Sequence, residues 1–212
     1  MNTNKAIWHF RTGRALLILV MGLIAPFQLA FVPDLAAIQV SDTADVVADD
    51  GLCTLREAIL AANTNLPSGG MNGECPAGRD RRTDTITLAN GATFSLSIGS
   101  SNEDSAADGD LDIWDNSAEV DLKIRVQGGG TATIAQDASP DDRVLHTLGG
   151  ARVKIEGLIL TGGSSVASGG GVLNEGRLAL DASTIWGNSA TLDGGGLSSR
   201  RRAVRKITGT AN

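Results

Sequence analysis

The last third of the chain repeats itself every 25 residues: Val153, Ile155 and Leu160 recur as Leu178, Leu180 and Ile185, and the glycine triplet 169–171 recurs as 194–196. Each unit reads as two short strands, a polar turn and a glycine-rich corner. A unit this small cannot bury its apolar face alone. Stacked units share a continuous interior, so the repeat predicts a solenoid. The length fits one coil of a parallel β-helix, whereas a leucine-rich repeat of similar length needs a Leu and Asn pattern that is missing here. The expected fold class is all-β, with Asn174 and Asn188 either capping turns or forming ladders between coils.

Composition supports a thin interior. Glycine is the commonest residue at 27, tyrosine is absent and aromatics make up 3% of the chain, so the core is expected to consist of Val, Ile and Leu. Val120, Leu122, Ile124 and Val126 alternate with Asp121, Lys123, Arg125 and Gln127, which predicts a strand with one apolar face. Shorter strands are expected at 38–40, 85–88 and 93–98. Thr54, Leu55, Arg56 and Glu57 form a capping box at the start of a helix over 55–63, where Leu55, Ala58, Ile59 and Ala62 make one apolar stripe. That helix is expected to close the N-terminal end of the solenoid and cover a sheet edge. Residues 65–84 read as a loop.

Residues 1–37 have the order of a signal peptide: a basic stretch ending at Arg14, the apolar run Ala15 to Ala25, then Pro26 and small residues around Ala30, Ala36 and Ala37. The run is too short to span a membrane comfortably, although an uncleaved anchor is the alternative. No transmembrane span is expected in the mature chain. Between residues 38 and 199 there are 10 basic and 23 acidic side chains, a net −13 that repels nucleic acid and anionic lipid. Cys53 and Cys75 are the only cysteines; in an oxidising compartment they form one disulfide, the alternative being two buried thiols.

The run Cys53-Thr54-Leu55-Arg56-Glu57-Ala58-Ile59, followed by Ala61-Ala62-Asn63, resembles the signature of the CSLREA-domain family, with Thr54 where that family usually has Ser. The likeness continues through Cys75-Pro76-Ala77-Gly78, Asp84-Thr85-Ile86 and Gly109 to Ile113, and covers roughly residues 38–198. It implies an exported bacterial protein with a right-handed parallel β-helix, of a surface or adhesin-like kind, and it brings no catalytic set. The implied organisation is a cap region over 38–117, coils over 118–199 and a basic tail over 200–212. The chain departs from the family pattern at Ser199, where a basic run replaces a further coil. This predicts a truncated or frame-shifted C-terminus, or a short natural variant, and an uncapped last coil through which copies associate.

Chemistry-bearing residues are sparse. Asp104, Asp108, Asp110 and Asp112 surround Gly109. Asp108, Asp110 and Asp112 are candidate Ca²⁺ ligands, the alternative being a solvated loop whose aspartates cap backbone amides, since the bidentate Glu of an EF-hand is missing. A carbohydrate-active enzyme of the pectate-lyase-like type needs paired carboxylates, or acidic calcium ligands beside an Arg or Lys base. Asp181 and Asp193 do not obviously pair, and Lys154 fits an outward slot between Val153 and Ile155, as Arg152 and Arg177 fit coil positions. His146, the sole histidine after the leader, has no nucleophile motif around it and is expected on the solvent side of a strand over 144–148. The glycine runs at 128–130, 149–150 and 169–171 lack the residues of a phosphate loop and are read as corners. Trp114 and Trp186 are expected to pack beneath turns, or else to stack on sugars. The expected role is a secreted or cell-surface scaffold in adhesion or display, meeting surface glycans or other cell-surface molecules, without catalysis.

Overall fold

A computed structural model describes residues 37–99, 103–114, 116, 121–137, 142–200 and 204–205. Residues 1–36, which hold nearly all of the expected signal peptide, lie outside the described residues, as do Val120 and most of residues 201–212.

Strand β1 (Ala37–Gln39) precedes helix α1 (Leu55–Thr64). Three strands per turn follow: β2 (Asp84–Leu88), β3 (Thr93–Leu96) and β4 (Leu111–Ile113), then β5 (Leu122–Val126), β6 (Ala132–Gln136) and β7 (Leu145–Thr147). The third turn holds β8 (Arg152–Glu156), β9 (Leu158–Thr161), the short β10 (Ser164–Ser165) and β11 (Val172–Asn174). The fourth holds β12 (Arg177–Asp181), β13 (Thr184–Ile185), β14 (Ser189–Ala190) and β15 (Leu197–Ser199), and β16 (Val204–Arg205) begins a fifth. Strands of successive turns lie side by side in three parallel sheets, ordered β1-β2-β5-β8-β12-β16, β3-β6-β9-β13 and β4-β7-β11-β15, with a small β10-β14 pair. This is the expected parallel β-helix.

The register explains its interior. Ile38, Ile86, Ile124, Ile155 and Leu180 stack one above the next on the first sheet. Phe94, Ile134, Leu160 and Ile185 do so on the second, and Leu111, Leu145, Val172 and Leu197 on the third. Nearly all of these side chains are buried, so three ladders close an apolar column that no single turn can form. Outward positions of the first sheet carry charge: Lys123 Nζ lies 2.9 Å from Glu156 Oε2 on the next turn, and Lys154, in its expected outward slot, also pairs with Glu156.

Polar ladders join the outer turns as well. Asn174 Nδ2 donates to Ser199 Oγ at 3.0 Å, Asn188 Nδ2 donates to Leu160 O at 3.1 Å and Asn188 Oδ1 accepts from the Gly163 amide at 2.8 Å. Both asparagines therefore link coils 25 or more residues apart.

Corners recur at fixed places in the 25-residue turn. Gly157 sits alone between β8 and β9 at φ 77°, where an added Cβ would come 2.5 Å from Gly130 O. Its counterpart one turn on, Ala182, adopts φ 46°. A side chain in that left-handed region costs about 1–2 kcal/mol, partly offset by the greater unfolded-state freedom of glycine. Ala182→Gly is therefore expected to stabilise the fold by about 0.5–1 kcal/mol, read as a rise of roughly 1–4 °C in the thermal unfolding midpoint.

Helix α1 forms as its capping box dictates: the Thr54 hydroxyl accepts from the Glu57 amide, and the Glu57 carboxylate accepts from the Thr54 amide at 2.9 Å. Leu55, Ala58, Ile59, Ala61 and Ala62 are buried against the end of the column. Asn65 ends the helix at φ 57°. Cys53, just before it, is joined to Cys75 by a disulfide with Cα atoms 4.8 Å apart. Among the described residues no helix is long and apolar enough to cross a membrane.

Candidate metal centre

The helix does more than cover an end, because two of its polar side chains, Arg56 and Asn63, hold the acidic segment 103–114 in place. Arg56 is 0% exposed. Its Nε and Nη2 donate to the two Asp45 carboxylate oxygens at 2.6 and 3.1 Å, Nη1 donates to Ala106 O and Asp110 O, and Nη2 also to Gly109 O. Asp45 Oδ2 is further saturated by the Ser97 and Ile98 amides. One helical stretch on, Asn63 Nδ2 donates to Asp112 O at 2.8 Å while Asn63 Oδ1 accepts from the Trp114 amide. The guanidinium fork and the carboxamide thus grip the loop before and the strand after Asp110.

The gripped segment faces β7. Asp112, central in β4, is in register with His146, central in β7. Their outer face is covered: Asp110 and Asp112 are 0% exposed and His146 5%. His146 Nδ1 lies 3.1 Å from Asp112 Oδ1 and 3.3 Å from Asp104 Oδ1, and Nε2 lies 3.7 Å from Glu175 Oε2, yet neither ring nitrogen makes a hydrogen bond of good geometry. Glu103 Oε1, Asp110 Oδ1 and Asp112 Oδ1 are likewise buried without a hydrogen-bond partner. Two triads of donor atoms converge here, Asp104 with Asp112 and His146, and Glu103 with Asp110 and Asp112, each within 4.8 Å. Two oxygens bound on opposite sides of one cation stand about 4–5 Å apart, so these spacings are those of a coordination shell.

The electrostatics are unfavourable as they stand. Burial, reinforced by the charges of Asp112 and Asp142, pushes the Asp110 carboxyl up to about 9 against the opposing pull of Arg143, whose Nη1 is 3.4 Å from Asp110 Oδ2. Burial also raises Asp112, to about 6, despite its contacts with His146 and the Ala106 amide. Asp142 is raised by burial too, and its Oδ2 has no partner. Arg56 offers no relief, being committed to Asp45. Both large shifts favour the protonated form, so at neutral pH ionising the cluster opposes folding unless positive charge is brought to it.

Of the three aspartates singled out in the sequence, Asp110 and Asp112 come together, while Asp108 lies outside both triads with a buried, unpartnered Oδ1. His146 corrects the sequence reading: it is buried, not on the solvent side, because residues 103–110 fold over the outer face of β7. Glu103 and Asp142 were not legible as members, since neither lies in the alternating acidic run. Trp114 donates from Nε1 to Asp104 O at 3.0 Å and is half-buried over the loop, whereas Trp186 is 53% exposed and does not pack beneath a turn. Asp193 is exposed, and Asp181 stands beside Glu156 on the outer face of the first sheet. No family model, curated protein or solved structure matches the chain.

Proposed function

We propose that the chain is an exported β-helix scaffold that works by display or adhesion at a surface, without catalysis. The burial of Asp110 and Asp112 carries this reading. The carboxylates that burial shifts furthest lie beneath the 103–110 loop, where no polysaccharide can reach them, so they serve neither as a lyase calcium site nor as an acid and base pair. Arg143, the basic group beside the cluster, is itself buried against Asp110, and Lys123 and Lys154 pair with Glu156.

Further support comes from the leader-like order of residues 1–37, the acidic body, the disulfide and the CSLREA-like run at 53–63. Trp186, at 53% exposure on a corner after β13, offers a flat aromatic face to a sugar ring. Association of copies belongs to the same reading, since β13 and β15 each have a partner on one side only among the described residues.

The test is incubation with acidic and neutral polysaccharides, with and without Ca²⁺. Retention without cleavage is expected, weakened severalfold in Trp186→Ala. Release of shortened or unsaturated sugars sinks the scaffold reading in favour of a carbohydrate-active enzyme.

A further inference from the structure

We propose that His146 and Asp112, joined by carboxylates of the two triads that share Asp112, bind one divalent first-row transition-metal ion, of the zinc or manganese kind, that pins the 103–110 loop onto β7. An acidic cluster alone would not carry this. The second, independent observation is His146, an imidazole buried to 6% side-chain exposure with neither nitrogen in a hydrogen bond of good geometry and Nδ1 set 3.1 Å from Asp112 Oδ1, which has no such hydrogen bond either. An imidazole nitrogen and a carboxylate oxygen at that separation match one edge of a coordination polyhedron when both turn a lone pair to the same ion.

The donor set also discriminates among metals. Carboxylates alone would suit Ca²⁺, but a histidine nitrogen grouped with two of them, Asp104 and Asp112, suits a borderline ion far better than a hard one. Asp112 belongs to both triads, so a single ion beside it draws on either side of the cluster. Both strands that supply the innermost donors are fixed before any ion arrives, Asp112 by the Asn63 contact to its carbonyl and by the Ala106 amide on Oδ2, and His146 by pairing with Asp112 and Leu173. Glu103 and Asp104 lie on the covering loop and close the shell from outside. Binding therefore ties the loop to the coil.

The full chain, purified without a polyhistidine tag and stripped with a chelator, is equilibrated separately with Zn²⁺, Mn²⁺ and Ca²⁺; bound metal is then counted by elemental analysis after gel filtration. One equivalent of Zn²⁺ or Mn²⁺ is expected, with the unfolding midpoint raised by about 5–10 °C at a hundredfold excess over Kd. Asp112→Asn, which keeps an acceptor for the Ala106 amide, is expected to abolish uptake. His146→Gln is expected to weaken Zn²⁺ or Mn²⁺ binding at least tenfold, and it decides the matter should the Asp112→Asn variant fail to fold. No stoichiometric uptake, or uptake that His146→Gln leaves unchanged, overturns the proposal. Equal binding of Ca²⁺ by parent and His146→Gln overturns it in favour of an oxygen-only site.

Discussion

Replacing Arg56 with alanine is expected to lower the unfolding free energy by about 3–5 kcal/mol, which for a domain of this size moves the thermal midpoint down by roughly 6–20 °C. The side chain is wholly buried and donates to both oxygens of Asp45 and to three backbone carbonyls in the 106–110 segment. Truncation leaves the Asp45 side chain, itself 3% exposed, as a buried carboxylate without its counter-charge, and it leaves three carbonyls without a donor. Arg56→Lys is expected to recover little, since one ammonium cannot reproduce a planar fork that reaches two directions at once. Urea unfolding monitored by circular dichroism checks both variants. A loss below about 1 kcal/mol for Arg56→Ala would mean that solvent enters and replaces the clamp.

Removing the disulfide by Cys53→Ser with Cys75→Ser is expected to cost about 3 kcal/mol, because the bridge closes a loop spanning a sequence separation of 22 and so restricts the unfolded chain. Both sulfurs are buried, with Cys53 1% and Cys75 0% exposed, so reductant added to the folded protein is expected to act slowly and to reach the bond through local opening. The thermal midpoint of the double variant, compared with that of the parent in the presence and absence of reductant, measures the effect. A midpoint shift below about 2 °C would place the anchoring of the 65–84 loop elsewhere, for example in Ser68 and Glu74, whose side chains already bond to each other and to the Cys75, Asp50 and Gly51 amides.

How much of this could be read in advance depended on spacing. The turns from Val153 to Leu178 match residue for residue, so their register is visible as a repeat. Earlier turns are longer, since Asp84 pairs with Leu122 and Leu122 with Val153, and the extra residues at 97–110 and 127–131 hide the same ladder. The alternation in β5 still betrayed its apolar face, because only one side of that sheet is covered. The same logic failed for His146. Alternation tells which residues share a face; it does not tell that a loop more than 30 residues upstream roofs the outer one. The three aspartates stood out by composition, yet which of them converge depends on Arg56 and Asn63, whose partners lie about 50 residues away. Helix, cap and disulfide were legible because each is local or involves only two candidates.

The grip of α1 on residues 106–114 has a consequence for the order of assembly. A chain that emerges N-terminus first, from a ribosome or through a membrane pore, can close the Cys53–Cys75 loop early, but the 10-residue α1 is marginal in water until it packs. Arg56 and Asn63 must nevertheless wait for carbonyls about 50 positions behind them, so docking of the helix comes only when the first full turn is complete. Until then Arg56 has Asp45 alone for a partner. The lid of the column is tied early at its disulfide and seated late, and what seats it is the arrival of the very segment that carries the acidic centre.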